Sequence, residues 1–380
     1  MTFSTEVQEC IWREEASRCL MKLCDVVTGF NISFSKMGLW GTATQIVPAI
    51  VDRTKSLTQI VRSRHWIFKA PNFTYPKILQ WIFAYVPFAM RLHRLHIVLI
   101  AENDFRLFPM TKGAAKLRQK RRQQVEKFMR ATAPEKYHHI LIPDFDVGCK
   151  RQILDDGYLQ SLHNEKLLLI QTRITEILPD GVQRTDGFYP ADVLVLATGF
   201  QTNKFLPYTE IRGSRGTIAD HCKRYNGPGA YNCSAMSGFP NFFLLLGPNA
   251  ATGHTSALMA AENSVNYALR VLKPVLDGKA ASIDLKQEAE DDYIYKVQDA
   301  LRHRVWNAGC ASWYVNEKQW NEMAYPWTQA HYWYRSLFPT WSHWTMKPTR
   351  KPVTRPITWA LPQMLMLILG AVISTYFQYL

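Results

Sequence analysis

Residues 31–62 read NISFSKMGLWGTATQIVPAIVDRTKSLTQIVR. A strand-like run from Asn31 to Met37 meets a turn at Gly38-Leu39-Trp40-Gly41, passes into a helix-compatible stretch, and ends in a second strand-like run, Ser56–Arg62. Strand, glycine turn, helix and strand make the parallel βαβ unit that binds dinucleotides. That unit wants Gly at the tight turn, Gly where backbone meets pyrophosphate, and Gly or Ala where helix packs on strand. Here the three positions read Gly38, Trp40 and Ala43. The Trp40 ring would fill the space a pyrophosphate needs, so an ordinary strand–helix turn explains this stretch equally well.

Outward from this unit, residues 1–30 alternate in short segments about a turn at Thr28-Gly29, which suits a β-hairpin. From Pro71 to about Lys136 the pattern turns helical, and its apolar part, 78–90, is too short to span a membrane and is followed by Arg91 and Arg94. Strand-like runs return at His139–Ile142, Leu167–Gln171 and Asp192–Leu196, the last a continuous apolar run suited to a central parallel strand. The run Gly238–Gly247 (GFPNFFLLLG) predicts another strand, ending at a Gly-rich turn before a helix that reaches about Leu272.

The whole chain has 380 residues and a formal charge of +14, with 47% hydrophobic residues. That composition excludes a mainly disordered chain, and the length suggests two or three domains. Much of the charge lies in 112–130, where eight basic residues stand against Glu126. A basic helix can follow phosphates or an anionic membrane, though most are solvated faces, and no nucleic-acid module accompanies this one. Nucleic acid is therefore not expected as a partner. The seven cysteines are scattered, which predicts reduced thiols and no metal site. From Ile357 to Leu380 there is no charged residue, and Lys347, Arg350, Lys351 and Arg355 precede it. This predicts a C-terminal transmembrane helix, a single-pass anchor with the catalytic part in the cytosol, although a docked apolar helix has the same composition.

Several motifs are more specific. Asp192–Phe200 runs from an apolar strand into Ala197-Thr198-Gly199; Gly238–Asn249 is followed by Gly253-His254-Thr255-Ser256; Gly148-Cys149-Lys150-Arg151 precedes Asp155-Asp156-Gly157-Tyr158. With QIVPAI (45–50), VRSRHW (61–66) and WNAGCASWY (306–314), they resemble, in order and spacing over about 37–345, the class B flavoprotein monooxygenases. Within that class they are similar to the Baeyer–Villiger branch, particularly its fungal secondary-metabolism members.

The resemblance implies FAD and NADPH as cofactors and oxygen insertion beside a ketone, in natural-product biosynthesis, with a small organic substrate. It implies an α/β fold: a Rossmann-like NADP-binding domain (31–70 and 139–200) with a helical insert (71–138), then the C-terminal part of an FAD/substrate domain (201–350) and the membrane helix (357–380). Arg151 matches an arginine that steadies negative charge beside the flavin, and Trp313 an aromatic near nicotinamide and substrate. Lys150, Arg62 and Ser63 match contacts to the NADPH 2′-phosphate. Gly38, Thr42, Ala43, Gln45, Ala197, Thr198, Gly199, Gly247 and Asn249 match other cofactor-binding positions. His254 reads as a flavin neighbour or a turn-stabilising residue. Trp306, Trp313, Trp320 and Trp327 recur every seven residues, but Gly309 and Pro326 interrupt them, so core packing is expected rather than a heptad.

Departures accompany the matches. Nothing before Gly38 offers the intact GxGxxG and acidic residue with which members of the family bind FAD adenosine. The expectation is an N-terminally truncated member, with 1–30 a remnant hairpin of the FAD domain. The alternative is a catalytically inactive, membrane-anchored remnant.

Overall fold

The computed structural model describes residues 31–35, 40–197, 209–310 and 312–349. The hairpin expected at 1–30 and the membrane helix expected at 357–380 lie outside the described residues. The chain enters through β1 (Asn31–Ser35), α1 (Trp40–Ile50), β2 (Ser56–Ile60) and β3 (Ile67–Lys69). It leaves the sheet for helices α2 (Lys77–Tyr85), α3 (Ala89–Asn103) and α4 (Lys112–Thr132), then returns through β4 (Ile153–Asp155) and β5 (Leu167–Ile170). A meander of β6 (Ile174–Leu178), β7 (Gly181–Arg184) and β8 (Gly187–Pro190) leads into β9 (Val193–Leu196).

Four of these strands make one parallel sheet in the order β5-β2-β1-β9. The chain reverses its direction of travel across the sheet between β1 and β9, and in such sheets ligands bind beyond the carboxyl ends of the strands at that point. β9 is an outer strand among the described residues, not a central one, and Leu196 is exposed. On one face Leu194 packs with Ile60 and Val182 of the meander, and on the other Val193 and Val195 are partly buried against the cores around α1.

The insert is helical, as its periodicity predicts, but its helices differ in purpose. α4 lays Val125 and Met129 into the core shared by α1, β2, β3 and β5. Its Arg118 is buried, donating to Asp146 at 2.8 Å and to the carbonyls of Leu107 and Pro109 at 2.9 and 2.8 Å. Arg121 pairs with Asp104 and Arg130 with Glu126. Part of the basic run is thus consumed by the fold itself. α2 and α3 contribute no buried residue.

The strand expected at His139–Ile142 is a short helix, His138–Leu141. A four-residue apolar run carries no period that separates the two states, and the preceding turn Glu135–Tyr137 feeds it into a helix with Ile140 and Leu141 buried together. The run 238–247 is not a ladder strand either. Gly238, Asn241, Leu246 and Asn249 have φ of 86°, 60°, 53° and 59°, values an extended strand cannot accommodate, and only a single bridge joins Ala235 to Phe243.

The C-terminal half holds a second core around α5 (Ala257–Leu276), β10 (Ala280–Leu285), α6 (Gln287–Arg302), α7 (Gln329–Leu337) and β11 (Trp344–Pro348). α5 begins at the Ser256 cap and runs four residues beyond its expected end at Leu272. Trp306 and Trp320 are buried in this core, on a segment that is not a continuous helix, so core packing accounts for their spacing. Cys149 and Cys310 are disulfide-bonded, with Cα atoms 6.3 Å apart, whereas Cys222 and Cys233 are free. This corrects the expectation of reduced thiols throughout: partners separated by 161 residues leave no local motif. Among the described residues no single helix is long and apolar enough to cross a membrane.

Candidate functional site

The end of β2 and the loop before β4 form the charged part of the site. Val61 continues the ladder, its N–H donating to the Ile170 carbonyl at 2.9 Å, and the chain then turns outward with Arg62 exposed and Ser63 half-buried. In a dinucleotide fold this position faces the adenosine ribose; an acid there suits NAD and a cation suits the extra phosphate of NADP. Lys150 comes to the same place from the other loop, its Nζ 4.6 Å from the centre of the Phe145 ring. Burial pushes the Lys150 ammonium below its ordinary pKa and the Arg62 charge pushes it further, against a smaller opposing pull from Asp144. A half-buried ammonium depressed by a neighbouring guanidinium marks a site short of an anion.

Gly148 allows the turn that delivers Lys150. Its φ is 92°, and a Cβ there would come within 3.3 Å of the Phe108 ring. The Cys149–Cys310 bond then ties this turn to the loop carrying Trp313. Arg151 is exposed and close enough to Tyr314 for its charge to favour the phenolate, although burial dominates and pushes the Tyr314 hydroxyl up to about 12. The Trp313 ring is 37% exposed and meets the Tyr314 ring edge to face at 4.7 Å. Arg151 and Trp313, far apart in the chain, therefore flank one buried tyrosine.

At the switch point itself, Ala43 of α1 and Ala197 after β9 pack together, both buried, with Ile46 and Val195 beside them. Two methyl groups are all that separates helix from strand, as the third position of a dinucleotide fingerprint requires. Gln45 is exposed on α1. Gly38, Thr198 and Gly199, and the Thr42 side chain, lie outside the described residues.

Gly247 and Asn249 stand elsewhere, in the turns before α5. A Cβ at Gly247 would lie 2.4 Å from the Cys233 carbonyl oxygen, so the two backbones touch. The Asn249 amide donates to the carbonyls of Asn321 and Ala324 at 2.8 and 3.2 Å, which locks this turn to the 321–324 loop. Nearby, the buried His254 shares a 2.8 Å contact between its Nε2 and Glu102 Oε2. Glu102 also accepts from the backbone N–H groups of Gln329 and Ala330 at 3.2 and 3.0 Å, the open N-terminus of α7. Of the two readings of His254, the turn-stabilising one has a partner in the structure.

Sequence reasoning missed Glu102 and the Cys149–Cys310 bond, because both act across more than 150 residues and no spacing links the partners. Among the described residues no cluster of His, Cys, Asp and Glu could hold a metal ion.

No protein-family model matches the chain. It is 26% identical over 288 residues, 74% of its length, to an uncharacterized monooxygenase of Mycobacterium tuberculosis, of which it covers 56%. It is 28% identical over 299 residues to an FAD-binding monooxygenase of Aspergillus niger, covering 76% of this chain and 49% of that one. It is 26% identical over 283 residues to a Baeyer–Villiger monooxygenase of Pseudomonas aeruginosa, covering 74% and 53%. The chain spans about half the length of the curated relatives it matches. Among solved structures, a steroid monooxygenase bound to NADP aligns with a TM-score of 0.69 at 20% identity, over 84% of this chain and 67% of that one. The cyclohexanone monooxygenase of Rhodococcus sp. Phi1 bound to NADP+ aligns with a TM-score of 0.69 at 19% identity, over 86% and 71%. The fold is the one these structures share. Along three quarters of its length the chain is thus similar in sequence to proteins named monooxygenases, one of them FAD-binding and one a Baeyer–Villiger monooxygenase.

Proposed function

We propose that the chain serves an FAD-dependent, NADPH-using monooxygenase reaction of the Baeyer–Villiger type, on a ketone of natural-product biosynthesis. The observation that carries the reading is the convergence of Arg62 and Lys150 beyond β2, with no carboxylate anywhere between Arg53 and Ala101 to bind a free ribose hydroxyl. This is the charge pattern of an NADP site rather than an NAD site. In such a reaction NADPH reduces the flavin, and the reduced flavin activates O₂ for insertion beside a carbonyl.

The chain's own residues take supporting roles in this reading. Arg62, Ser63 and Lys150 hold the 2′-phosphate, and the Ala43–Ala197 contact lets the nucleotide backbone approach the sheet. Arg151 offers an exposed guanidinium to negative charge developing by the flavin, and Trp313 offers an aromatic face to nicotinamide and substrate. Gly247 and Asn249 shape the turn before α5, since the Asn249 amide is already committed to Asn321 and Ala324. A membrane anchor at 357–380 belongs to the proposal on sequence grounds alone, and the substrate class rests on the resemblance to fungal secondary-metabolism members.

A second reading, a non-catalytic remnant, is favoured by Trp40, which opens α1 where a dinucleotide turn holds glycine. The full chain, supplied with FAD and NADPH and given cyclohexanone as a probe, discriminates the two. Flavin uptake and a product heavier by one oxygen support the enzyme. NADPH binding without flavin uptake supports the remnant.

A further inference from the structure

The two helices that bury nothing expose a dense set of large apolar side chains. α2 exposes Trp81 and Tyr85, the latter at 71%; the turn between the helices exposes Phe88 at 67%; α3 exposes Leu92 at 65%. The pair is nevertheless built as a unit. Tyr75 bonds His93 through its hydroxyl at 2.8 Å, and the Phe83 ring stacks on His93 at 4.7 Å, so an aromatic seam closes the hairpin from inside. Large apolar side chains are left to point outward.

Their distribution argues for what covers them. At 100° per residue, Leu92, Leu95 and Leu99 mark one side of α3 and Met90 and Ile97 another, and all are exposed. A single partner helix or strand covers one stripe; apolar side chains on several sides call for a surrounding apolar medium. The charge agrees. Lys77, Arg91 and Arg94 stand among these residues, and no carboxylate occurs between Arg53 and Ala101. The Arg91 guanidinium lies 5.6 Å from the Phe88 ring centre, its stem along the apolar surface and its charge at the rim. The helices meet at 112° across the break and are apolar enough together, but not singly, for a membrane. A bent pair of short helices, edged with Arg, Lys, Trp and Tyr, suits the interface of a bilayer rather than a crossing.

We propose that the α2–α3 hairpin is a monotopic membrane-docking element that dips Phe88, Trp81 and Leu92 into an anionic phospholipid surface. It rests on different residues from the C-terminal segment and holds whether or not that segment anchors the chain, and it does not depend on the oxygenase reading.

The test uses the full chain with vesicles of phosphatidylcholine containing about a quarter phosphatidylserine and a trace of photoactivatable phosphatidylcholine. After illumination, lipid adducts are mapped on proteolytic peptides. Adducts are expected on peptides within 77–103, and not on the polar face of α6. The double variant F88D/L92D, whose changes lie on exposed side chains, should lose at least about tenfold of that labelling, equivalent to about 1.4 kcal/mol of insertion. Replacing phosphatidylserine with phosphatidylcholine should lower it several-fold. Labelling confined to other segments overturns the proposal, as does labelling of 77–103 that survives the double variant. Chemical crosslinks joining 77–103 to a second copy or to another segment of this chain, without lipid adducts there, assign the surface to protein and overturn it equally.

Discussion

Arg62 and Lys150 approach one another beyond the carboxyl end of β2, and the guanidinium lowers the pKa of the ammonium. Like charges are brought together at a cost when a fold expects an anion between them. The first loop reaches this point from the sheet and the second from the turn at Gly148, so the two cations are positioned by independent parts of the chain.

That cost has a sign that can be measured. The Lys150 pKa is lowered in the folded protein, mainly by burial and then by Arg62, so the native state holds that proton less tightly than the unfolded chain. Stability contributed by this position is therefore greatest above the unfolded pKa and falls as pH drops through the folded one. At neutral pH the charged side chain destabilises the ligand-free protein. Lys150→Met should raise its melting temperature and abolish most of the further rise that NADP+ gives the native chain. A differential scanning experiment with and without NADP+ reads both.

Glu102 should act as a three-way clamp. Burial works against its ionised form, but the contacts from His254, Ala330 and Gln329 outweigh it and hold its pKa below the usual carboxylate value. With the folded pKa depressed, its contribution is present above about pH 4.5 and lost as pH falls below it. Glu102→Ala leaves two N–H groups and His254 without this acceptor, and should cost about 1–3 kcal/mol in urea denaturation at pH 7, with the difference narrowing in acid.

The Cys149–Cys310 bond closes a loop spanning 161 residues. In the chain-entropy account that length corresponds to about 5 kcal/mol as an upper figure. Dithiothreitol, or the double variant C149S/C310S, should lower the denaturation midpoint. An unchanged midpoint in both would show the bond to be thermodynamically silent.

Ala43→Leu tests the close contact at the switch point. Ala43 and Ala197 are both buried against each other, so three added carbons must push α1 off the sheet, at about 1–3 kcal/mol. NADP+ affinity, read by calorimetric titration, should fall together with stability.

Much of this fold could be read in the sequence, for a physical reason. β1, β2, β5 and β9 carry periodic or continuous apolar runs, and each lies within two residues of its expected place, with a helix between β1 and β2 as the pattern predicts. At Ala43 a methyl group packs on Ala197, and a small side chain at a helix start is a local requirement that a sequence can carry. The run 238–247 is misleading, since its apolar residues serve turns with left-handed backbone at Asn241, Leu246 and Asn249 rather than a ladder. His138–Leu141 was too short for its pattern to declare itself. The pairing of Arg62 with Lys150 was legible only as a resemblance, and the partners of Glu102 and Cys149 not at all, because contacts between distant segments leave no spacing to read.

The most direct measurement is calorimetric titration of the full chain with NADPH and with NADH. Arg62 and Lys150 should make NADPH bind at least about tenfold more tightly, the worth of one charge-assisted contact to the 2′-phosphate, and the double variant R62A/K150M should bind the two equally. Equal affinity in the native chain, or a preference for NADPH that survives in the double variant, would contradict the assignment of this cation pair to the 2′-phosphate.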